Sequence, residues 1–141
     1  MFVRDIMSTD VELVNPDMTL SEAAIRMKER DIGFLPVGEN DRLVGMVTDR
    51  DIAIRGVAEG KDPVTESIRN IMTPDVQYCF ENQEVGEAAK LMEDKQIRRL
   101  VVLNDDKRLV GVCSLGDFAV ETSDKELGGE VLQEVSKPSK K

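Results

Sequence analysis

Thr48 and Asp51 stand three residues apart, and so do Ser114 and Asp117. Each pair follows a short apolar run, Gly45-Met46-Val47 in the first case and Gly111-Val112-Cys113 in the second, and opens a stretch of helical spacing. The first backbone N–H groups of a helix have no partner within it. A hydroxyl and a carboxylate at this spacing therefore either cap the helix start or turn toward a ligand. A carboxylate accepts two hydrogen bonds side by side, which suits the vicinal hydroxyls of a ribose, and the helix start favours a nearby phosphate. Capping and ligand binding are compatible.

The remaining composition excludes most other chemistry. The chain has 141 residues, no histidine and two cysteines, Cys79 and Cys113. That removes histidine metal sites, Ser-His-Asp triads, Cys-His nucleophiles and zinc clusters of the usual kind. A formal charge of −9 repels nucleic acid and anionic lipid, so an anionic ligand needs a local cluster of donors. An aromatic fraction of 4% with no tryptophan leaves no stacking platform for single strands. No apolar run is long enough for a membrane span, and the opening Met1-Phe2-Val3-Arg4-Asp5 lacks the pattern of a secretory signal, so the expected location is the cytoplasm. In a reducing compartment the two cysteines read as buried thiols, and a redox switch would require them to lie close enough to bridge.

An internal repeat of about 65 residues organises the chain. Arg4-Asp5-Ile6-Met7-Ser8 returns as Arg69-Asn70-Ile71-Met72-Thr73, Glu22-Ala23-Ala24 with Met27 as Glu87-Ala88-Ala89 with Met92, and, after one inserted residue near Lys107, Arg42-Leu43-Val44-Gly45 as Arg108-Leu109-Val110-Gly111. Each copy reads as strand, helix, strand, strand, helix. In the first, Thr19 and Glu22 have capping-box spacing ahead of Leu20, Ala23, Ala24 and Met27, which predicts a helix to about Arg30. Phe34 to Val37 and Leu43 to Val47 read as strands around a turn, and a second helix begins near Asp49, carries Ile52, Ala53 and Val57, and stops around Gly60. Met7, Met27, Met46, Met72 and Met92 fall on apolar faces and read as core. The expected domains are 1–62, the first copy with its connector; 63–122, the second copy; and 123–141, a polar C-terminal tail in which Leu127, Val131, Leu132 and Val135 have the spacing of a short amphipathic turn. A unit of about 60 residues is marginal alone, so the copies are expected to share a core.

Two in-register Gly-x-x-Ser/Thr-x-x-Asp junctions, the Ile6-Met7 and Ile71-Met72 openings, the Glu-Ala-Ala helices and the segments Ile32 to Pro36 and Ile97 to Val101 together resemble the cystathionine-beta-synthase (CBS) domain family. The resemblance covers about residues 3–121 and is that of a stand-alone CBS pair, a Bateman module. It implies an α/β (α+β) fold of two CBS units packed with pseudo-twofold symmetry, a homodimer, and two clefts for adenosine-containing ligands: AMP, ADP or ATP, with NAD and S-adenosylmethionine as further candidates. Carried over residue by residue, one nucleotide-binding cleft combines Thr48, Arg50, Asp51, Thr73, Tyr78, Ile97, Arg98 and Arg99. The other combines Ser8, Leu13, Ile32, Gly33, Ser114 and Asp117. Gly33, Phe34 and Gly116 stand where the first cleft has Arg98, Arg99 and Arg50, so the first is expected to bind the tighter phosphorylated ligand and the second to be weaker, to take a less charged adenosyl group, or to be empty.

The function this implies is a non-enzymatic energy sensor, in which a bound adenine nucleotide shifts the population of shapes read by a regulated protein. The alternative is a constitutive dimeric interaction scaffold without a ligand. No catalytic residue, catalytic cofactor, metal, membrane or nucleic-acid partner is expected, and neither the partner protein nor the physiological nucleotide is named by the sequence.

Overall fold

The computed structural model describes residues 1–40, 42–121 and Val135, with residues 119–121 in backbone only. In chain order the regular elements are α1 (Leu20–Arg30), β1 (Phe34–Glu39), β2 (Arg42–Thr48), α2 (Asp49–Asp51), β3 (Tyr78–Phe80), α3 (Val85–Lys95), β4 (Arg99–Leu103), β5 (Leu109–Ser114) and α4 (Leu115–Glu121). Single 3₁₀ turns at Val3–Asp5 and Ile68–Asn70 precede the two Ile-Met openings, and a π-helical stretch, Ile52–Val57, continues α2. Among these residues no helix is long and apolar enough to cross a membrane.

The chain forms two compact units, a central one of Val11–Val76 and a split one of Met1–Asp10 with the chain from Gln77 onward. The sequence copies are thus cut and exchanged: each unit joins the body of one copy to the opening of the other. In the central unit Thr73 and Met46 exchange backbone hydrogen bonds of 2.8 and 2.9 Å, and in the split unit Ser8 and Val112 exchange bonds of 2.8 and 2.9 Å. The glycine that precedes each junction hydroxyl on its strand permits this approach. A Cβ on Gly45 would lie 2.7 Å from Met72 Sδ and 2.9 Å from the Thr73 oxygen, and one on Gly111 would lie 2.7 Å from Met7 Sδ and 2.8 Å from the Ser8 oxygen.

The central unit pairs β1 and β2 antiparallel, with Phe34 opposite Thr48 and Val37 opposite Gly45. Helix α1 starts at Thr19, whose hydroxyl accepts from the Glu22 N–H at 3.2 Å, and buries Leu20, Ala23 and Met27. The strand expected ahead of α1 is reduced to one parallel bridge, Val14 to Val37. Two prolines explain this. In the split unit the corresponding ladder of β3 on β4 is extended by Val101 N–H to the Gln77 oxygen and by Glu81 N–H to the Leu103 oxygen. The residues at those donor positions in the central unit are Pro36 and Pro16, which have no N–H to give.

The second helix also departs from a regular 3.6-residue period. From Ile52 its bonds run to the fifth residue back, as in Ala58 N–H to Ala53 and Lys61 N–H to Gly56. That wider turn buries Gly56 under Leu20, where a Cβ would be 2.7 Å from Leu20 Cδ1, and leaves Val57 62% exposed. Gly60 ends the segment at φ 75°, ahead of Pro63.

In the split unit, β3, β4 and β5 form a sheet in that order, with β3 parallel and β5 antiparallel to β4. Helix α3 buries Val85, Ala88, Ala89 and Met92 in a core completed by Val3, Leu100, Cys113 and Phe118. The inserted residue of this copy falls in the β4 to β5 turn, where Lys107 takes φ 62°. Of the expected polar tail, Val135 is within the described residues and differs from a solvated position: its apolar side chain is 7% exposed and joins this core. Leu127, Val131 and Leu132 lie outside the described residues. Of the five methionines assigned to the core, Met27 and Met92 are buried in the central and split units, Met72 and Met7 pack partly buried against those two cores, and Met46, half-buried, belongs to neither.

Candidate functional site

Both junctions form the same reciprocal box. Thr48 N–H donates to Asp51 Oδ2 at 3.0 Å while Asp51 N–H donates to Thr48 Oγ1 at 3.0 Å. Ser114 N–H donates to Asp117 Oδ2 at 2.7 Å while Asp117 N–H donates to Ser114 Oγ at 3.3 Å. Capping is therefore present in both copies. It occupies one oxygen of each carboxylate and clamps its orientation, leaving Oδ1 to accept from elsewhere. Asp51 Oδ1 has the Arg55 Nε 3.9 Å away, beyond hydrogen-bond range.

The central unit brings Thr48, Arg50, Asp51 and Thr73 to one region, because the Thr73 to Met46 pairing lies two residues ahead of Thr48 on β2. It adds Ile32 and Gly33: the Asp49 N–H donates to the Gly33 oxygen at 2.9 Å, so the turn after α1 abuts the junction. Leu13, in the segment ahead of α1, lies beside the far end of β1, its side chain filling the space above Gly38. The split unit brings Ser8, Ser114 and Asp117 together through the Ser8 to Val112 pairing, and adds Ile97 and Arg98, since the Leu115 N–H donates to the Arg98 oxygen at 2.9 Å. Arg99 opens β4 opposite Ser114, and Tyr78, 43% exposed on β3, meets Phe80 edge to face at 5.7 Å. Arg98 and Arg50 are exposed, with no ion-pair partner among the described residues. Each unit so repeats one arrangement: a capped carboxylate, an opening hydroxyl residue and the turn following its first long helix.

Two residues of the site are not apparent from the sequence motifs. Arg55, one helical turn after Asp51, donates through Nη1 to the Ile71 and Met72 oxygens at 3.2 and 3.4 Å. Its signal is the i, i+4 spacing from Asp51. Asp49, whose carboxylate covers Gly33, is visible only once the backbone turn is known.

Both cysteines are free and buried. Cys79 lies opposite Val102 and Cys113 opposite Leu100, on the two strands that flank β4. Burial pushes the Cys79 thiol up to about 11. Burial, with the Asp117 carboxylate and the other thiol adding to it, pushes Cys113 further in the same direction. Neither is a nucleophile at neutral pH. Among the described residues no three His, Cys, Asp or Glu side chains converge as a metal site.

Comparison with known proteins agrees with this architecture. The family model described as "CBS domain" matches residues 3–56 and 68–122. The chain is 40% identical over 134 residues to the CBS domain-containing protein YhcV of Bacillus subtilis, covering 95% of this chain and 94% of that protein. It is 43% identical over 117 residues to Hypoxic response protein 1 of Mycobacterium tuberculosis, covering 82% and 81%. Among solved structures it resembles Hypoxic Response Protein I with two coordinated zinc ions (TM-score 0.77, 41% identity, 86% of this chain and 99% of that one). It also resembles the CBS domain pair of MJ0100 in complex with 5′-methylthioadenosine and S-adenosyl-L-methionine (0.73, 28%, 84% and 93%), and CBSX2 in complex with AMP (0.69, 26%, 82% and 91%). With two matched repeats, two capped junctions in register and relatives of nearly the same length, the chain belongs to the CBS domain family as a CBS pair protein.

Proposed function

We propose that this protein is a non-enzymatic regulatory module that binds an adenosine-containing ligand and passes its occupancy to a partner protein, acting as a homodimer. The observation that carries the reading is the identical clamp on Asp51 and Asp117, which presents one carboxylate oxygen per junction in a fixed orientation. In this reading those carboxylates accept the ribose hydroxyls, and Thr48, Thr73, Ser8 and Ser114 surround them with hydroxyl groups. Arg98, Arg99 and Arg50 serve the phosphate, by charge-assisted hydrogen bonds. The complexes of similar proteins with AMP, 5′-methylthioadenosine and S-adenosylmethionine support the ligand class. AMP, ADP and ATP are the first candidates, because three guanidiniums favour a phosphorylated ligand over a bare adenosyl group.

The test is calorimetric titration of the wild-type protein with AMP, ADP, ATP, NAD and S-adenosylmethionine, alongside Asp51→Ala, Asp117→Ala and Arg98→Ala. Saturable binding is expected, reduced more than tenfold by Asp51→Ala and less by Asp117→Ala, with Arg98→Ala weakening phosphorylated ligands in a protein that still folds. Absence of heat with every nucleotide, from a folded protein, would transfer the assignment to a ligand-free interaction scaffold. The exposed Ile25, Ile54 and Val57 on the helices of the central unit are the apolar surface such a scaffold would use.

A further inference from the structure

Gly33 and Arg98 hold equivalent places in the two units, each accepting one backbone hydrogen bond of 2.9 Å from the residue that follows the junction hydroxyl. The side chains at these corners are opposite in character. In the central unit the donor is Asp49, and its carboxylate lies directly over the glycine: a Cβ on Gly33 would sit 2.8 Å from Asp49 Oδ2 and 3.2 Å from its Cγ. The Arg50 N–H donates to Asp49 Oδ1 at 2.8 Å, a bond that favours this orientation of the carboxylate. In the split unit the donor is Leu115, which packs against the core, and Arg98 is exposed. One corner thus presents a carboxylate above a bare backbone, and the other a guanidinium beside a leucine.

We propose that Asp49 is a specificity-determining residue that excludes phosphate from the Gly33 corner and reserves it for an uncharged or cationic adenosyl group, such as a thioether or sulfonium. This deepens the adenosine-binding reading and rests on it. An ionised carboxylate is an acceptor only, so it offers a phosphate oxygen no hydrogen bond and repels its charge. Toward a sulfonium or an ammonium the same charge is attractive. Gly33 and Asp49 are also a matched pair: the atoms that a Cβ at position 33 would meet are those of the Asp49 carboxylate, so a side chain such as that of Arg98 fits there only if Asp49 turns away.

The experiment compares adenosine, AMP and S-adenosylmethionine by calorimetry on the wild-type protein and on Asp49→Asn, which keeps an acceptor for the Arg50 N–H and removes the charge. AMP is expected to bind the weaker of its sites about fivefold to tenfold more tightly in Asp49→Asn, S-adenosylmethionine to weaken by a similar factor, and adenosine to stay within twofold. If AMP and S-adenosylmethionine shift in the same direction, or if neither shifts while adenosine still binds, Asp49 does not set the charge preference. A wild-type protein that binds none of the three overturns the adenosine reading itself, and the inference with it, before any variant is measured. The double variant Gly33→Arg with Asp49→Leu provides an independent check. It rebuilds the Arg98 and Leu115 corner, and AMP affinities that remain as unequal as in the wild type would count against the proposal.

Discussion

The Nε of Arg55 lies 3.9 Å from Oδ1 of Asp51, and the same guanidinium donates to the last carbonyl groups of the Ile68 to Met72 opening. Arg55 therefore ties a junction carboxylate to a segment contributed by the other sequence copy. With the side chain 55% exposed, the ion pair itself contributes little. Replacing Arg55 with Met is expected to cost about 1 kcal/mol through the two backbone acceptors left to water. Urea denaturation followed by circular dichroism reads this directly, and an unchanged midpoint would show that the tether is energetically idle.

Two glycine classes predict opposite signs. At Gly45 and Gly111 a methyl group meets a methionine sulfur and a backbone oxygen closer than 3 Å, so Gly→Ala at either site is expected to destabilise by about 1–3 kcal/mol. Gly86 lies in the first turn of α3 with nothing within 4 Å of where a methyl would stand, and Gly86→Ala is expected to stabilise by about 0.5–1 kcal/mol. Thermal midpoints of the three single variants, compared in one buffer, check both directions.

The thiols are expected to be silent until the fold opens. At pH 8 both Cys79 and Cys113 are protonated and covered, so a disulfide-exchange reagent should titrate neither in the native protein and both in guanidinium chloride. The raised thiol values also carry a sign for stability. The unfolded chain ionises its thiols near 9.0 while the folded one holds its protons, so this contribution is present below pH 9 and is lost as pH climbs toward 11. Rapid reaction of one native thiol at pH 8 would contradict the burial of that strand.

At the acid end the direction reverses. Arg26 first, and Arg30 after it, hold the Glu12 carboxyl below its ordinary value of 4.5, and Lys61, with Asn70, does the same for Glu66. A depressed carboxyl stabilises the fold above its unfolded value and loses that contribution as pH falls through the folded one. The thermal midpoint is therefore expected to be level above about pH 5 and to decline below it. Glu12→Gln should flatten part of that decline, and a profile identical to the wild type would remove Glu12 from the account.

Much of this architecture is legible in the residues because it is local. The α1 limits, Thr19 to Arg30, follow from a cap and a 3.6-residue apolar spacing, and the junction boxes follow from three-residue spacing seen twice. The stop at Gly60 is legible for the same reason. What is not legible is set by distant partners. Periodicity alone places Met7 and Ser8 with the first copy, although the glycine that accommodates them is Gly111; only the family resemblance sets Ser8 beside Ser114 and Asp117. The missing strand at Val14 depends on Pro16 and Pro36 standing at donor positions of a parallel ladder, which is evident only when the partner strand is known. Gly56 is buried and Val57 exposed because the helix widens to a π turn, against a regular helical period. Asp49 carries no sequence signal because its role arises from the glycine it covers, sixteen positions earlier in the chain.

The exchange of openings bears on how such a chain assembles. A single copy taken alone would hold an opening whose place is in the other copy's body, so it would have to exchange openings with a second molecule to complete itself. Joining the halves turns that bimolecular encounter into an intramolecular one, at an effective concentration set by the connector between Ala58 and Thr65. The split unit must still recruit its first ten residues across the whole central unit, a loop closure of more than sixty residues. Its completion is consequently expected to follow that of the central unit, whose pieces are contiguous from Val11 to Val76 and have the shorter search.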